Sequence, residues 1–170
     1  KIKNSISELY GQFKELESWE GFSEQERSHI ASVNSGMSDV AAQDSLKNLS
    51  SMLERYYGKK AIILLDEYDS PMQEAYIHGY WEEFTGFMRS MFNATFKTNP
   101  YLERAVMTGI TRISKESMFS DLNNLQVITV TSDKYNTCFG FTEKEVFQAL
   151  DEFGLSDERE NVKKWYDGFV

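Results

Sequence analysis

The chain has 170 residues, of which 41% are hydrophobic and 14% aromatic, so it can bury a sizeable core and global disorder is excluded. Its 18 Lys and Arg against 27 Asp and Glu give a net charge of −9, which argues against direct nucleic-acid binding and against an anionic membrane as partner. No apolar run approaches the roughly 20 residues that cross a bilayer. The single cysteine, Cys138, excludes an internal disulfide, so we expect a cytoplasmic protein.

The first third of the chain, residues 1–58, is predicted to be a helical lead-in. Its apolar residues recur at steps of three and four, which is the pattern of helices that bury one face. Ser23 followed by Glu26 resembles a capping box, in which each side chain bonds the backbone amide of the other residue. We predict helices over residues 1–19, 24–33 and 41–57.

The rest of the chain, residues 59–170, is predicted to hold an α/β core and C-terminal helices. Five consecutive apolar residues, 61–65, indicate a strand buried on both faces, as is typical of parallel sheets. Pro71 is expected to end any regular structure after it. Further strands are predicted over residues 103–108 and 125–131, and helices over residues 80–97, 143–153 and 156–166. Thr142 followed by Glu145 predicts a capping box at the start of the helix over residues 143–153. This alternation predicts an α/β fold with a mostly parallel sheet flanked by helices, in one domain over residues 1–170.

Acidic residues follow the first predicted strand directly. Asp66 and Glu67 after an apolar run have the Walker B pattern, in which one carboxylate holds Mg²⁺ through water and the next polarises the attacking water. Thr108 ends the neighbouring strand, where its hydroxyl could sense the γ-phosphate, and Arg112 could neutralise developing charge. Acids are also common where a strand leaves the core, so the Asp66 and Glu67 pair alone leaves both interpretations open.

The glycine-rich Walker A loop that cradles the phosphates of ATP occurs nowhere among the ten glycines. The chain opens at Lys1 without methionine and stops at Val170 in an aromatic run, so we expect a segment of a longer protein. Without the loop the triphosphate loses most of its ligands. We therefore expect this segment alone to be inactive and to bind neither ATP nor Mg²⁺ tightly.

Two other functions remain open. Asp66, Glu67 and Asp69 together with Lys115 suit a metal-dependent nuclease, although the acids share one strand end, which makes this the weaker hypothesis. The segment could also be a non-catalytic module that docks a neighbouring domain. In that case we expect hydrophobic surface at an exposed sheet edge, which could also drive homodimerisation.

Five sequence blocks resemble, in content and order, the AAA-ATPase-like family of bacterial proteins. They are residues 63–71 (ILLDEYDSP), 106–115 (VMTGITRISK), 119–125 (FSDLNNL), 139–142 (FGFT) and 165–169 (WYDGF). The resemblance implies a P-loop NTPase fold, of which this chain would be a partial core, with ATP and Mg²⁺ as cofactors. It also implies a Walker A segment before Lys1 and, in many members, a domain similar to PD-(D/E)XK nucleases after Val170.

The resemblance also assigns site residues. It implies that Asp66 and Glu67 are the Walker B acids and that Thr108 occupies the sensor-1 position. Arg112 lies in a shared block with Ser114 and Lys115, whose individual roles it does not fix. Asp69 matches as well, and we expect its carboxylate to orient Arg112 or the magnesium ion without binding the ion directly.

Overall fold

The computed structural model describes residues 1–110, 122, 125–138 and 140–166. The chain divides into two compact units, residues 1–125 and residues 126–170, and the single-domain organisation stays a prediction. Along the described ranges, no helix combines the length and apolar character that a membrane crossing requires. The first unit contains α1 (Ile2–Gly11), α2 (Glu15–Ser18), α3 (Glu24–Ser32), α4 (Asp39–Tyr57), β1 (Ala61–Leu65), α5 (Ser70–Ile77), α6 (Trp81–Phe92), a π-helix (Asn93–Lys97) and β2 (Leu102–Met107). The second contains α7 (Glu143–Glu152), a 3-10 turn (Ser156–Glu158) and α8 (Arg159–Tyr166).

Helices α1 to α4 share one hydrophobic core, whose buried members include Ile6, Tyr10, Leu16, Phe22, Ile30 and Leu49. The capping box predicted for α3 is confirmed, because the Glu26 carboxylate accepts the Ser23 amide at 2.8 Å and the Ser23 hydroxyl accepts the Glu26 amide at 3.3 Å. The single helix predicted over residues 1–19 is wrong. It breaks after Gly11, a poor helix former, and the short helix α2 that follows places Leu16 in the core.

The sheet has two parallel strands among the described residues, with Ile63 opposite Ala105 and Leu65 opposite Met107. Helices α5 and α6 supply a second core cluster, against which Leu65 packs; its buried members are Met72, Met88, Met91 and Phe92. A mixed α/β fold with a parallel sheet is therefore confirmed. The complete P-loop core stays a prediction.

One face of this sheet is open to solvent. Ile62 and Leu64 of β1 are 62% and 75% exposed, and Val106 of β2 is 48% exposed. The expectation that residues 61–65 are buried on both faces is wrong for the described chain. Only the alternate side chains of β1 are partly covered, and of these Leu65 packs against the cluster of α5 and α6. An apolar run without alternation therefore leaves a hydrophobic surface here.

Two other sequence predictions in the first unit and its border are wrong for local reasons. Pro71 lies in the first turn of α5 instead of ending regular structure, since a first-turn residue needs no amide for an intrahelical bond. Residues 125–131 form no strand. The Ser132 hydroxyl accepts the Thr129 amide at 2.9 Å, and the Ser132 amide donates to the Thr129 carbonyl at 2.9 Å, so a local turn replaces sheet pairing.

The second unit is built around helices α7 and α8. The predicted capping box at the start of α7 is confirmed, with the Thr142 amide donating to the Glu145 carboxylate at 2.8 Å. Arg159 of α8 forms an ion pair with Asp151 of α7, and its guanidinium lies 5.1 Å from the centre of the Phe147 ring. The guanidinium also lowers the pKa of Asp151 below its ordinary value.

Candidate functional site

The candidate site lies where β1 and β2 end side by side. The Thr108 amide donates to the Leu65 carbonyl at 2.9 Å, and the Tyr68 amide donates to the Thr108 carbonyl at 3.1 Å. These bonds continue the parallel pairing beyond the last strand residues. The residues that follow both strands therefore meet at the carboxyl edge of the sheet, where open α/β sheets bind ligands.

Asp66 is fixed at this edge through one oxygen of its carboxylate. Asp66 Oδ1 accepts the hydroxyl proton of Thr108 and also the Glu67 amide at 3.1 Å. The same amide lies 3.3 Å from the Thr108 hydroxyl oxygen. A carboxylate has about four lone-pair positions, so the exposed Asp66 keeps acceptor capacity for a hydrated cation.

Glu67 has an unusual backbone. Its φ of 52° lies in the left-handed region, which only one other non-glycine residue, Tyr135, adopts among the described residues. Such a conformation is disfavoured for a residue with a Cβ and tends to occur at functional sites. The Glu67 carbonyl accepts the Ser70 amide at 3.1 Å, while its side chain is exposed. The turn therefore leaves the carboxylate accessible at the strand end.

Asp69 contrasts with its two acidic neighbours because only 1% of it is exposed. It precedes α5, and its carbonyl accepts the amides of Met72 and Gln73 at 3.1 and 3.0 Å. The Asp69 side chain lies against Gly109 of the neighbouring chain segment. A Cβ built on Gly109 would lie only 2.7 Å from Asp69 Oδ1. Gly109 thus belongs to the site, although the sequence analysis assigns it no role beyond its block. A glycine directly after a strand is the available signal for close approach.

The donor set suits magnesium better than a metal held by protein side chains alone. Across the described ranges, no three His, Cys, Asp or Glu side chains are grouped so that they could hold a metal ion. Magnesium is usually bound through one or two carboxylates, with water and phosphate oxygens completing its shell. Asp66 fits that demand, since it is exposed and anchored through a single oxygen.

The structure brings together Asp66, Glu67 and Thr108, as expected for residues at adjacent parallel strand ends. Asp69 lies next to them but is buried. Arg112, together with Ser114 and Lys115, lies outside the described residues. The chemical roles of all these residues stay predictions.

Comparisons with known proteins identify the family of this chain. A family model described as "Predicted AAA-ATPase" matches residues 1–119. The chain is also 28% identical over 113 residues to a protein of Azotobacter chroococcum mcd 1 named "Uncharacterized protein in vnfD 5'region". That alignment covers 66% of this chain and 22% of the relative, so the chain spans about a fifth of the relative's length. No solved structure matches the chain.

The family match includes both strands and the residues at their ends. It extends over 119 of the 170 residues, which is more than half of the chain. The chain therefore belongs to the AAA-ATPase-like family.

Proposed function

We propose that this chain supplies the Walker B part of an ATP-hydrolysing site in a longer cytoplasmic protein, which uses ATP binding and hydrolysis as a conformational switch. The observation that carries the proposal is the hydrogen bond from the Thr108 hydroxyl to Asp66 across two parallel strand ends, with the exposed Glu67 beside it. Carboxylates at this edge of an α/β sheet are suited to a nucleotide and its metal.

Each residue has a distinct part in this proposal. Asp66 would hold the magnesium ion, which when bound supplies positive charge against the phosphates. Glu67, exposed at the strand end, would orient the attacking water and accept its proton. Thr108 would position Asp66 before it senses phosphate, because its single hydroxyl proton is donated to the Asp66 carboxylate. Sensing would require that hydroxyl to turn from Asp66 towards the phosphate.

The missing half of the site is a further part of the proposal. The sequence has no Walker A loop, and the matched segment spans 22% of the Azotobacter relative. We propose that a segment outside these 170 residues provides the loop, and that Arg112 completes the charge stabilisation. A nuclease-like domain in the same longer protein remains a proposed partner.

The test is Mg²⁺-dependent ATP hydrolysis by the full-length protein, in the wild type and in Glu67→Gln. The amide keeps the size of the side chain but cannot act as a base, so turnover should fall by about 100-fold or more while ATP binding persists. Glu103→Gln is the matched control, since Glu103 is an exposed carboxylate of β2 near its opposite end. Equal turnover in wild type and Glu67→Gln would refute the assignment of Glu67.

The open sheet face favours a second candidate, a non-catalytic docking module. Ile62, Leu64 and Val106 form an apolar surface, whereas parallel sheets are normally covered on both faces. Such a module could dock a nuclease-like domain or a second copy of the chain. It predicts that Glu67→Gln changes neither nucleotide turnover nor nucleotide binding.

A further inference from the structure

The side chain of Asp69 lies so close to the backbone of Gly109 that a residue with a Cβ at position 109 would overlap with it. An ideal Cβ on Gly109 would lie 2.7 Å from Asp69 Oδ1, 3.0 Å from its Cγ and 2.8 Å from Tyr68 Cε1. Gly109 is not among the residues with positive φ, so backbone conformation is not the reason for a glycine here. What the position requires is the absence of a side chain.

This contact closes a short loop whose other end is already fixed. On the N-terminal side, Asp66 accepts the Thr108 hydroxyl proton. On the C-terminal side, the Tyr68 amide donates to the Thr108 carbonyl at 3.1 Å, and Asp69 lies on Gly109. These anchors therefore fall on two consecutive residues, Thr108 and Gly109, directly after β2.

Glu67 lies between these anchors and is the residue with the left-handed backbone, at a φ of 52°. A disfavoured conformation persists where its surroundings over-determine it. We propose that Asp69 and Gly109 are positioning residues: their close contact holds the C-terminal side of the loop and thereby keeps the Glu67 carboxylate in place. The activity readout of this inference rests on the proposed function, whereas its structural readout does not.

A methyl group at position 109 tests the contact directly. In Gly109→Ala, either the side chains of Asp69 and Tyr68 or the end of β2 must shift, which releases the anchor that follows Glu67. Displacements of about 1 Å can cost roughly 100-fold in rate. We therefore expect kcat for ATP hydrolysis to fall by about 10-fold to 100-fold. KM should change little, since the Asp66 and Thr108 pair is left in place.

The control is Gly86→Ala in α6, where an added Cβ meets nothing within 4 Å. It should keep the wild-type kcat. Asp69→Ala, which creates no overlap, should also lower kcat. In the double variant Asp69→Ala/Gly109→Ala, the two losses in kcat should not multiply, since both substitutions disrupt the same contact. Wild-type kcat in both single variants, or losses that multiply fully, would overturn the inference. If Gly109→Ala does not fold, Asp69→Ala tests the contact instead, and an unchanged kcat in that variant would overturn the inference.

Amide hydrogen exchange supplies the readout that is independent of activity. In the same full-length protein, the Tyr68 amide, which bonds Thr108, should exchange faster in Gly109→Ala than in wild type, and at the wild-type rate in Gly86→Ala. Unchanged exchange in Gly109→Ala would overturn the inference. A wild-type protein that fails to hydrolyse ATP would refute the proposed function, while the exchange measurement would still decide whether this contact holds the loop.

Discussion

Replacing Thr108 by valine tests how strongly the two strand ends are joined. Valine keeps the branched shape of threonine but exchanges its hydroxyl for a methyl group. The variant therefore loses the donor to Asp66 Oδ1 and the hydroxyl oxygen that lies 3.3 Å from the Glu67 amide. Residue 108 should keep both of its backbone hydrogen bonds. Its amide donates to the Leu65 carbonyl, and its carbonyl accepts the Tyr68 amide. The change is thus confined to the side-chain bonds.

The expected loss follows from the exposure of this site. A hydrogen bond to a charged group contributes about 1.5 to 3 kcal/mol when its partners cannot find a substitute. Asp66 and Thr108 are both exposed, so water can replace the lost partner, and the 3.3 Å contact adds little. We therefore expect the free energy of unfolding to fall by about 1 kcal/mol in Thr108→Val. In the full-length protein, a loss of that size in fixing Asp66 corresponds to about a five-fold loss of turnover.

The assay is urea unfolding of wild type, Thr108→Val and Thr108→Ser, followed by circular dichroism. The serine variant retains the hydroxyl, so it should lie within about 0.5 kcal/mol of wild type. A valine variant as stable as wild type would show that the side-chain bond contributes nothing. A serine variant as unstable as valine would show that the lost stability comes from packing and not from the hydroxyl.

Three further predictions concern the rest of the fold. Tyr10→Phe removes a buried hydroxyl that donates to a carbonyl of α4 at 2.7 Å, and urea unfolding should show a loss of about 1 kcal/mol. Burial raises the pKa of Tyr10 above its ordinary 10.0. The stability that the protonated Tyr10 contributes is therefore present below pH 10 and lost as the pH rises further. Alkaline unfolding should show a smaller loss of stability in Tyr10→Phe than in wild type. Arg159 lowers the pKa of Asp151 below its ordinary 3.8. The ion pair between α7 and α8 should therefore stabilise the fold above pH 3.8 and weaken as the pH falls through the lowered pKa. An NMR titration of wild type beside Asp151→Asn would show this. Leu64→Ala on the open face should lower the free energy of unfolding in urea by less than about 1 kcal/mol. Met72→Ala, at a fully buried position, should lower it by about 2 to 4 kcal/mol. Equal losses would contradict the exposure of that face.

The features that could be predicted from sequence depend on residues close together in the chain. Both capping boxes, at Ser23 and Thr142, need only a partner three residues away, and both form. The exception is the approach of Asp66 and Thr108 at adjacent strand ends, which follows from one long-range assumption, namely that the two strands are parallel neighbours. That assumption is confirmed.

The features that could not be predicted depend on what lies opposite each residue. An apolar run does not reveal whether a second layer covers it, so the exposure of Leu64 was missed. Pro71 suits a helix start as well as a turn, and the chain on both sides decides between them. The left-handed backbone of Glu67 and the contact between Asp69 and Gly109 arise only when the loop meets β2. The glycine that follows β2 permits a close approach, but it does not identify Asp69 as the residue that approaches.

The central claim is that Asp66 and Glu67 serve ATP hydrolysis, and the most direct measurement is the identity of the nucleotide that remains bound. Full-length wild type and Glu67→Gln would each be incubated with Mg²⁺ and ATP, separated rapidly from free nucleotide, denatured and analysed by chromatography. We predict ADP from the wild type and intact ATP from Glu67→Gln, because the variant binds but cannot activate water. The same proportion of ADP from both proteins, or no nucleotide from either, would contradict the claim.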